Sequence, residues 1–253
     1  MHGCSNDFII IDNRIEKTNL LSSQIIKLAD YKKSIGFDQL ITIENSTISD
    51  IAIRIFNKDG SEVNACGNGT RCVAKLTLLN NPSITISTKE RVLKAVKEND
   101  LISINMGKAQ ILQEDMQFDN LIGMFIDVGN PHIIINIAKG GWTKETELDN
   151  IDIAKFGSII ENDSRFPKRT NVNFVQVVNS DLVKLRTWER GSGATLGCGS
   201  GACASFYALH NQGLINNKAT IEQSGGNLLI SLKNEEIYMT GEAEISYHGI
   251  YNK

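Results

Sequence analysis

Two short runs carry the residues best suited to chemistry: Cys66-Gly67-Asn68-Gly69 and Cys198-Gly199-Ser200-Gly201, 132 positions apart. Each leads into a stretch with helical spacing of apolar residues. The first holds Cys72, Val73, Leu76, Leu78 and Leu79, and the second Ala202, Cys203, Phe206 and Leu209. A cysteine at a helix start sits where four backbone N–H groups lack intrahelical acceptors. Glycines directly after it leave those amides open, and the positive helix end favours both a carboxylate and a thiolate. Two such turns suit proton traffic on either face of one carbon acid. A thiolate takes the α-proton, a thiol returns one, and the helix ends hold the carboxylate where charge gathers. That is a 1,1-proton transfer without a Schiff base.

A lone Cys-Gly-x-Gly turn is more often a tight connection without chemistry, and the phosphate-loop pattern is absent. The duplication changes the weight. At the same offset Arg54–Lys58 lies over Arg186–Arg190 and Gln39 over Asn171. Farther back the register slips, and Gly3…Asn6 pairs with Gly129-Asn130. Matches over a strand, a loop and a Gly-rich turn read as a duplicated half-chain unit. We expect an N-terminal lobe over 1–110 carrying Cys66, with a last strand at about 243–253 returning to it, and a C-terminal lobe over 111–242 carrying Cys198.

The elements that must position these turns are strand-rich. Strands are expected at Phe8–Asp12, Gln39–Ile43, Ile51–Phe56, Ser83–Ser87, Val92–Val96 and Leu101–Met106. Further strands follow at Gly123–Val128 and Ile133–Ile137, joined by a Gly129–His132 turn, and at Phe174–Val178 and Leu182–Trp188. Besides the helices at 70–79 and 202–209, Ser23–Lys33 is expected helical, capped by Ser22 or Ser23 and stopped by Gly36, as is Thr146–Glu161. Gly225-Gly226 and Asn234-Glu235 mark hairpins among the strands after Ala219.

Composition narrows the class. Of 253 residues, 41% are hydrophobic and 22% charged, an ordinary globular balance. Acidic groups (29) outnumber basic ones (26), which argues against a nucleic-acid partner. The apolar runs are too short for a membrane span and no secretory signal is visible, so a cytoplasmic location is expected. The five cysteines are odd in number and include no Cys-x-x-Cys, against a disulfide framework or structural zinc. Cys4, Cys72 and Cys203 read as packing residues.

The motifs in combination resemble the diaminopimelate epimerase family: Met1-His2-Gly3…Asn6-Asp7-Phe8, Gly36-Phe37-Asp38-Gln39, Phe56-Asn57…Asp59-Gly60-Ser61-Glu62, Ala65 to Cys72, Gly129-Asn130-Pro131-His132, Glu189-Arg190-Gly191 and Cys198 to Ala202. The resemblance implies an α+β fold of two pseudo-symmetric lobes, each a mixed, mostly antiparallel barrel-like sheet around a central helix. It implies no metal and no cofactor, and a small-molecule substrate, LL-2,6-diaminopimelate, converted reversibly to the meso form for lysine and peptidoglycan synthesis. By the family pattern Cys66 and Cys198 are base and acid, with His132 and Glu189 tuning them. Gly67, Asn68, Gly199 and Ser200 would meet the reacting carboxylate. Asn6, Gln39, Asn57, Asn130, Asn171, Glu189 and Arg190 would hold the distal amino-acid end. A homodimer without nucleic-acid or membrane partners is also implied.

Two departures bear on Asn6. Relatives usually carry a short strand before Met-His-Gly, where this sequence begins, and Ser5 stands where glycine is usual. A loosened, strained Asn6 loop is therefore expected. Two other readings compete. One is a related proline-type racemase or isomerase, although those relatives typically have His at the position of Asn68 and lack Glu-Arg-Gly. The other is a non-catalytic thiol- or metal-binding protein on the same fold.

Overall fold

Short β-branched runs punctuated by glycine and asparagine build most of the molecule as strands, and two glycine-led apolar segments coil into buried helices. The computed structural model describes residues 1–78, 81–139, 142 and 146–250. The fold is α+β. It divides into two compact units, Met1–Asn105 with the segment from Thr240, and Met106–Met239.

The first unit begins with a tight hairpin, β1 (His2–Gly3) and β2 (Asn6–Asp12). Helix α1 (Ser22–Ala29) precedes β3 (Gln39–Glu44), β4 (Ile51–Asn57) and the short β5 (Glu62–Val63). Helix α2 (Gly67–Leu78) follows, then β6 (Ser83–Ser87), β7 (Val92–Glu98) and β8 (Leu101–Gly107). β2 and β3 run parallel, and β3–β4, β4–β5, β6–β7 and β7–β8 are antiparallel. α2 packs against β1, β2, β3, β6 and β7. α1 covers a separate apolar cluster of Ile25, Leu28, Ala29, Phe37 and Leu40.

The second unit runs β9 (Gln110–Phe118), β10 (Leu121–Asp127), β11 (Pro131–Asn136), α3 (Ile153–Glu161), β12 (Asn171–Asn179), β13 (Leu182–Glu189) and β14 (Gly193–Thr195). Helix α4 (Gly199–Asn211) then leads to β15 (Lys218–Gln223), β16 (Gly226–Lys233) and β17 (Glu236–Gly241). α4 is apolar on nearly every side, with Ala202, Cys203, Ala204, Phe206, Ala208 and Leu209 at 1% exposure or less. β10, β11, β12, β13, β15 and β16 pack around it.

The repeat seen in the sequence recurs as strand register. Leu40 faces Phe56 across β3–β4 as Val172 faces Trp188 across β12–β13. Val63 faces Ile55 as Thr195 faces Thr187. Before these strands the offset slips by eight: Phe8 pairs with Gln39 as His132 pairs with Asn171.

Several expectations need correction. Neither Ser22 nor Ser23 caps α1; Leu21 is the cap residue, its N–H donating to Gln24 Oε1 at 2.9 Å, and the helix ends at Ala29. α3 starts at Ile153, not Thr146, because Asp152 accepts from the Lys155 N–H (3.0 Å) and supplies the cap. The segment before it is a 3₁₀ turn, Leu148–Asn150, held by Arg186 Nη1 on the carbonyls of Leu148, Asp149 and Ile151. Pro131 and His132 belong to β11 rather than to the turn, with proline at the first strand position. β9 was not foreseen, since its exposed Gln and Glu residues mask the alternation. Among the described residues from 243 onward only Glu244 pairs, bridging His2, where β1 is two residues long. Leu79 of the expected helix and residues 251–253 of that strand lie outside the described residues. Among the described residues no helix is long and apolar enough to cross a membrane.

The β1–β2 turn is Cys4-Ser5, with φ of +50° and +56°. Both central residues of this two-residue hairpin occupy the left-handed region, where asparagine and glycine are the favoured pair. The expected strain at Ser5 is present, but the loop is not loose, since Asn6 Oδ1 accepts from Asn68 Nδ2 at 2.8 Å. Relieving one left-handed side chain is worth about 1 kcal/mol, less a few tenths for the added freedom of glycine in the unfolded chain. Ser5→Gly should therefore raise the midpoint of chemical unfolding, and an unchanged or lower midpoint would contradict the assigned strain.

Candidate functional site

Each Cys-Gly-x-Gly run starts a helix with the cysteine as its cap. In the first unit the Thr70 N–H donates to the Cys66 carbonyl at 2.9 Å, and the Gly69 N–H donates to Cys66 Sγ at 3.4 Å. In the second the Ala202 N–H donates to the Cys198 carbonyl at 2.9 Å, and the Gly201 N–H donates to Cys198 Sγ at 3.3 Å. A sulfur in the place of a capping oxygen lies against the positive end of the helix, where the amides of Gly67 and Asn68, or Gly199 and Ser200, have no acceptor in the preceding turn.

The glycine three residues on is there for space, not for φ. A Cβ on Gly69 would fall 2.5 Å from Ile41 Cδ1 and 3.2 Å from Phe8 Cε1. A Cβ on Gly201 would overlap Asn173 Oδ1 and come within 3.2 Å of Thr187 Oγ1. Neighbouring strands thus press against the first turn of each helix and hold its cysteine in place.

Around Cys66, which is half-buried, the structure joins Asn6 to Asn68 and joins Gln39 Nε2 to Asn57 Oδ1 at 3.0 Å as a second pair. Asn68 Oδ1 is buried with no hydrogen-bond partner among the described residues. Arg71, which sequence reasoning passed over, is fully buried, with Nη2 3.3 Å from Cys4 Sγ and Nε 3.3 Å from the Glu242 carbonyl. It ties the β1–β2 turn to α2, so Cys4 is more than a filler. Cys72 and Cys203 are fully buried within their helices.

Around Cys198 the network is denser. Its N–H donates to Gln223 Oε1 at 2.7 Å, and its Sγ lies 3.5 Å from Ser200 Oγ. Ser200 Oγ is also 3.1 Å from His132 Nε2 and accepts from Asn130 Nδ2 at 3.3 Å. The Glu189 carboxylate accepts from Thr195 Oγ1 at 2.6 Å. Burial pushes the Glu189 carboxyl above the usual carboxylate range. Burial and then the Glu189 charge push the Cys198 thiol well above its ordinary value, against the opposing donors Ser200 and Gly201. Cys198 therefore rests as a thiol, the form a proton donor needs.

Asn171 uses its whole side chain internally: Oδ1 accepts the Arg190 N–H at 3.0 Å and Nδ2 donates to the Pro131 carbonyl at 2.9 Å. Arg190 Nη1 donates to the Lys168 carbonyl at 3.0 Å. The Glu189-Arg190-Gly191 approach is anchored by Glu161, whose carboxylate takes the Gly191 N–H (2.8 Å), Trp188 Nε1 (2.7 Å) and Arg169 Nη1 (3.1 Å). Glu161, Asn173, Thr195 and Gln223 were missed from sequence. Only Asn173 carried a signal, two residues beyond Asn171 on the same face of one strand.

His132 is fully buried, and burial together with the Arg190 charge holds its imidazole down to about 3 from its ordinary 6.5. The native state keeps it neutral where the unfolded chain takes up a proton, so stability falls as pH drops from 6.5 toward about 3. One proton corresponds to at most about 1.4 kcal/mol per pH unit in that window. His132→Gln should flatten the pH dependence of unfolding free energy between pH 6 and 4 by up to that slope, as read from denaturant melts; an unchanged slope would contradict a buried neutral imidazole.

A family model for diaminopimelate epimerase matches residues 1–112 and 124–246. Solved structures of similar fold include a PhzF-family phenazine biosynthesis protein from Bacillus anthracis, with a TM-score of 0.66, 16% identity and coverage of 95% of this chain and 94% of that one. A hydroxyproline epimerase from Agrobacterium vitis with bound trans-4-hydroxy-L-proline aligns with a TM-score of 0.68, 14% identity and coverage of 95% and 87%. A predicted epimerase from Pseudomonas aeruginosa gives 0.64, 12%, 96% and 94%. At these identities the structures speak to the fold, while the sequence model spans nearly the whole chain: the chain belongs to the diaminopimelate epimerase family of isomerases.

Proposed function

We propose that the protein is a diaminopimelate epimerase, interconverting LL- and meso-2,6-diaminopimelate by two-base proton transfer at one α-carbon. One observation carries this reading: both cysteines cap equivalent helices, each sulfur receiving the N–H of the glycine three residues on. One thiol group takes the α-proton as thiolate and the other returns a proton, the roles exchanging with direction. The open amides of Gly67, Asn68, Gly199 and Ser200 would receive the reacting carboxylate, whose negative charge grows as the α-proton leaves. Both base and acid come from the chain itself, so the chemistry asks for no cofactor.

The protonated resting state of Cys198 supports its part as donor in one direction, which leaves Cys66 to begin as base. Asn6, Gln39, Asn57, Asn130, Asn171, Glu189 and Arg190 are assigned to the distal amino-acid end. Asn171, whose amide is occupied, would serve by fixing the Arg190 backbone. Asn68 and the Glu189-Arg190-Gly191 run favour this substrate over a proline-type acid, which has no distal zwitterion to match. The same reading carries a cytoplasmic homodimer supplying lysine and peptidoglycan precursors.

Incubation with LL-diaminopimelate in D2O should give α-deuterium uptake by NMR and conversion to the meso isomer. Cys66→Ala and Cys198→Ala should each lower the rate by at least about a hundredfold. Uptake that survives loss of Cys198, or uptake from proline but not diaminopimelate, would replace this assignment.

A further inference from the structure

Asn173 lies in β12 at zero exposure, beneath the first turn of α4. Its Nδ2 donates to the Ile133 carbonyl at 3.2 Å, and its Oδ1 accepts from Thr187 Oγ1 at 3.1 Å. A carbonyl can only accept, so the atom facing Ile133 is the amide nitrogen, and the same nitrogen stands 3.0 Å from His132 Nδ1. Nδ1 must then be the unprotonated ring nitrogen, and Nε2 carries the hydrogen.

That hydrogen points at Ser200 Oγ, 3.1 Å away, and at Asn130 Oδ1, 3.2 Å away. Ser200 Oγ also accepts from Asn130 Nδ2. A serine hydroxyl has two acceptor lone pairs and one donor. With both lone pairs occupied by N–H groups, the hydroxyl hydrogen is left for Cys198 Sγ. We propose that Asn173 is a positioning residue: by holding His132 as the Nε2–H tautomer it makes the Ser200 hydroxyl donate to Cys198 Sγ, supporting the thiolate when Cys198 acts as base. The inference rests on the acid–base role assigned to Cys198 above and adds the device that offsets its unfavourable surroundings. The charged groups around the sulfur are Glu189, which opposes the thiolate, and Arg190, which acts on His132.

Among the described residues the device belongs to the second unit alone. At the matching register positions the first unit has Phe8 for His132, Ile41 for Asn173 and Ile55 for Thr187, all buried. The turn of Cys66 rests on an apolar floor and that of Cys198 on a hydrogen-bonded one. The duplicated turns have diverged in the surroundings they give their cysteines.

The test uses substrate-free protein, so it is read separately from deuterium uptake. Long-range 1H–15N spectra of histidine-labelled protein should show His132 as the neutral Nε2–H tautomer from pH 5 to 9, and an Nδ1–H signal would overturn the proposal. Asn173→Asp should move a proton onto Nδ1. It should also slow Cys198 alkylation at pH 9 by about tenfold, the loss expected for one hydrogen bond to a charged group, with Cys66 unaffected. Ser200→Ala should slow Cys198 equally with the tautomer unchanged. Adding Asn173→Asp to Ser200→Ala should then do nothing more, whereas additive slowing would mean direct charge repulsion and would also overturn the proposal. Should Asn173→Asp fail to fold, the wild-type tautomer and Ser200→Ala decide alone: unchanged alkylation of Cys198 in Ser200→Ala refutes the role.

Discussion

A sulfur capping a helix is the constraint on which the rest depends. Cysteine is a weak cap, so the first turns of α2 and α4 are not held by local chemistry alone. They are held by strands pressed against Gly69 and Gly201, where no side chain fits. That closeness requires helices buried on most sides, and burial requires strands around each one. The sheet of each unit can therefore be understood as the support for one cysteine and its open amides.

Burial has an electrostatic cost, and the two units meet it differently. Cys198 is desolvated beside a carboxylate, both of which favour the thiol. Its thiolate is supported by Gly201 and Ser200, and behind Ser200 stand His132, Asn173 and Thr187. The half-buried Cys66 sits above Phe8 and Ile41, where the second unit has His132 and Asn173. A duplicated scaffold thus places its two sulfurs in unlike surroundings. The neutral His132 fits the same logic, because burial and the Arg190 charge both disfavour an imidazolium there.

Much of the fold was legible because its signals are local. The Asn234-Glu235 hairpin has φ of +51° and +64°, the left-handed pair such a turn demands, and β3, β4, β6 and β8 follow their apolar runs. Expectations failed where a distant group decided. Thr146 reads as a helix start until Arg186, from another strand, gathers the carbonyls of Leu148, Asp149 and Ile151 and leaves the cap to Asp152. The segment from Thr240 groups with the first unit, and among its described residues beyond Gly241 the pairing is a single bridge from Glu244 to His2, where β1 is two residues long.

For the site, the sequence by itself determined the two Cys-Gly-x-Gly helix starts, the repeat that relates them and the family that contains them, because spacing and glycine content are local properties of the chain. Only the tertiary structure decided the protonation environment. Gln223, Thr195 and Asn173 have no motif of their own, and Arg71 lies within a motif that says nothing of its partner; all four matter through groups brought near by the fold, up to 171 positions away for Arg71 and Glu242. A hydrogen bond a few ångströms long depends on where the backbone places its two ends, and periodicity along the chain does not encode that distance.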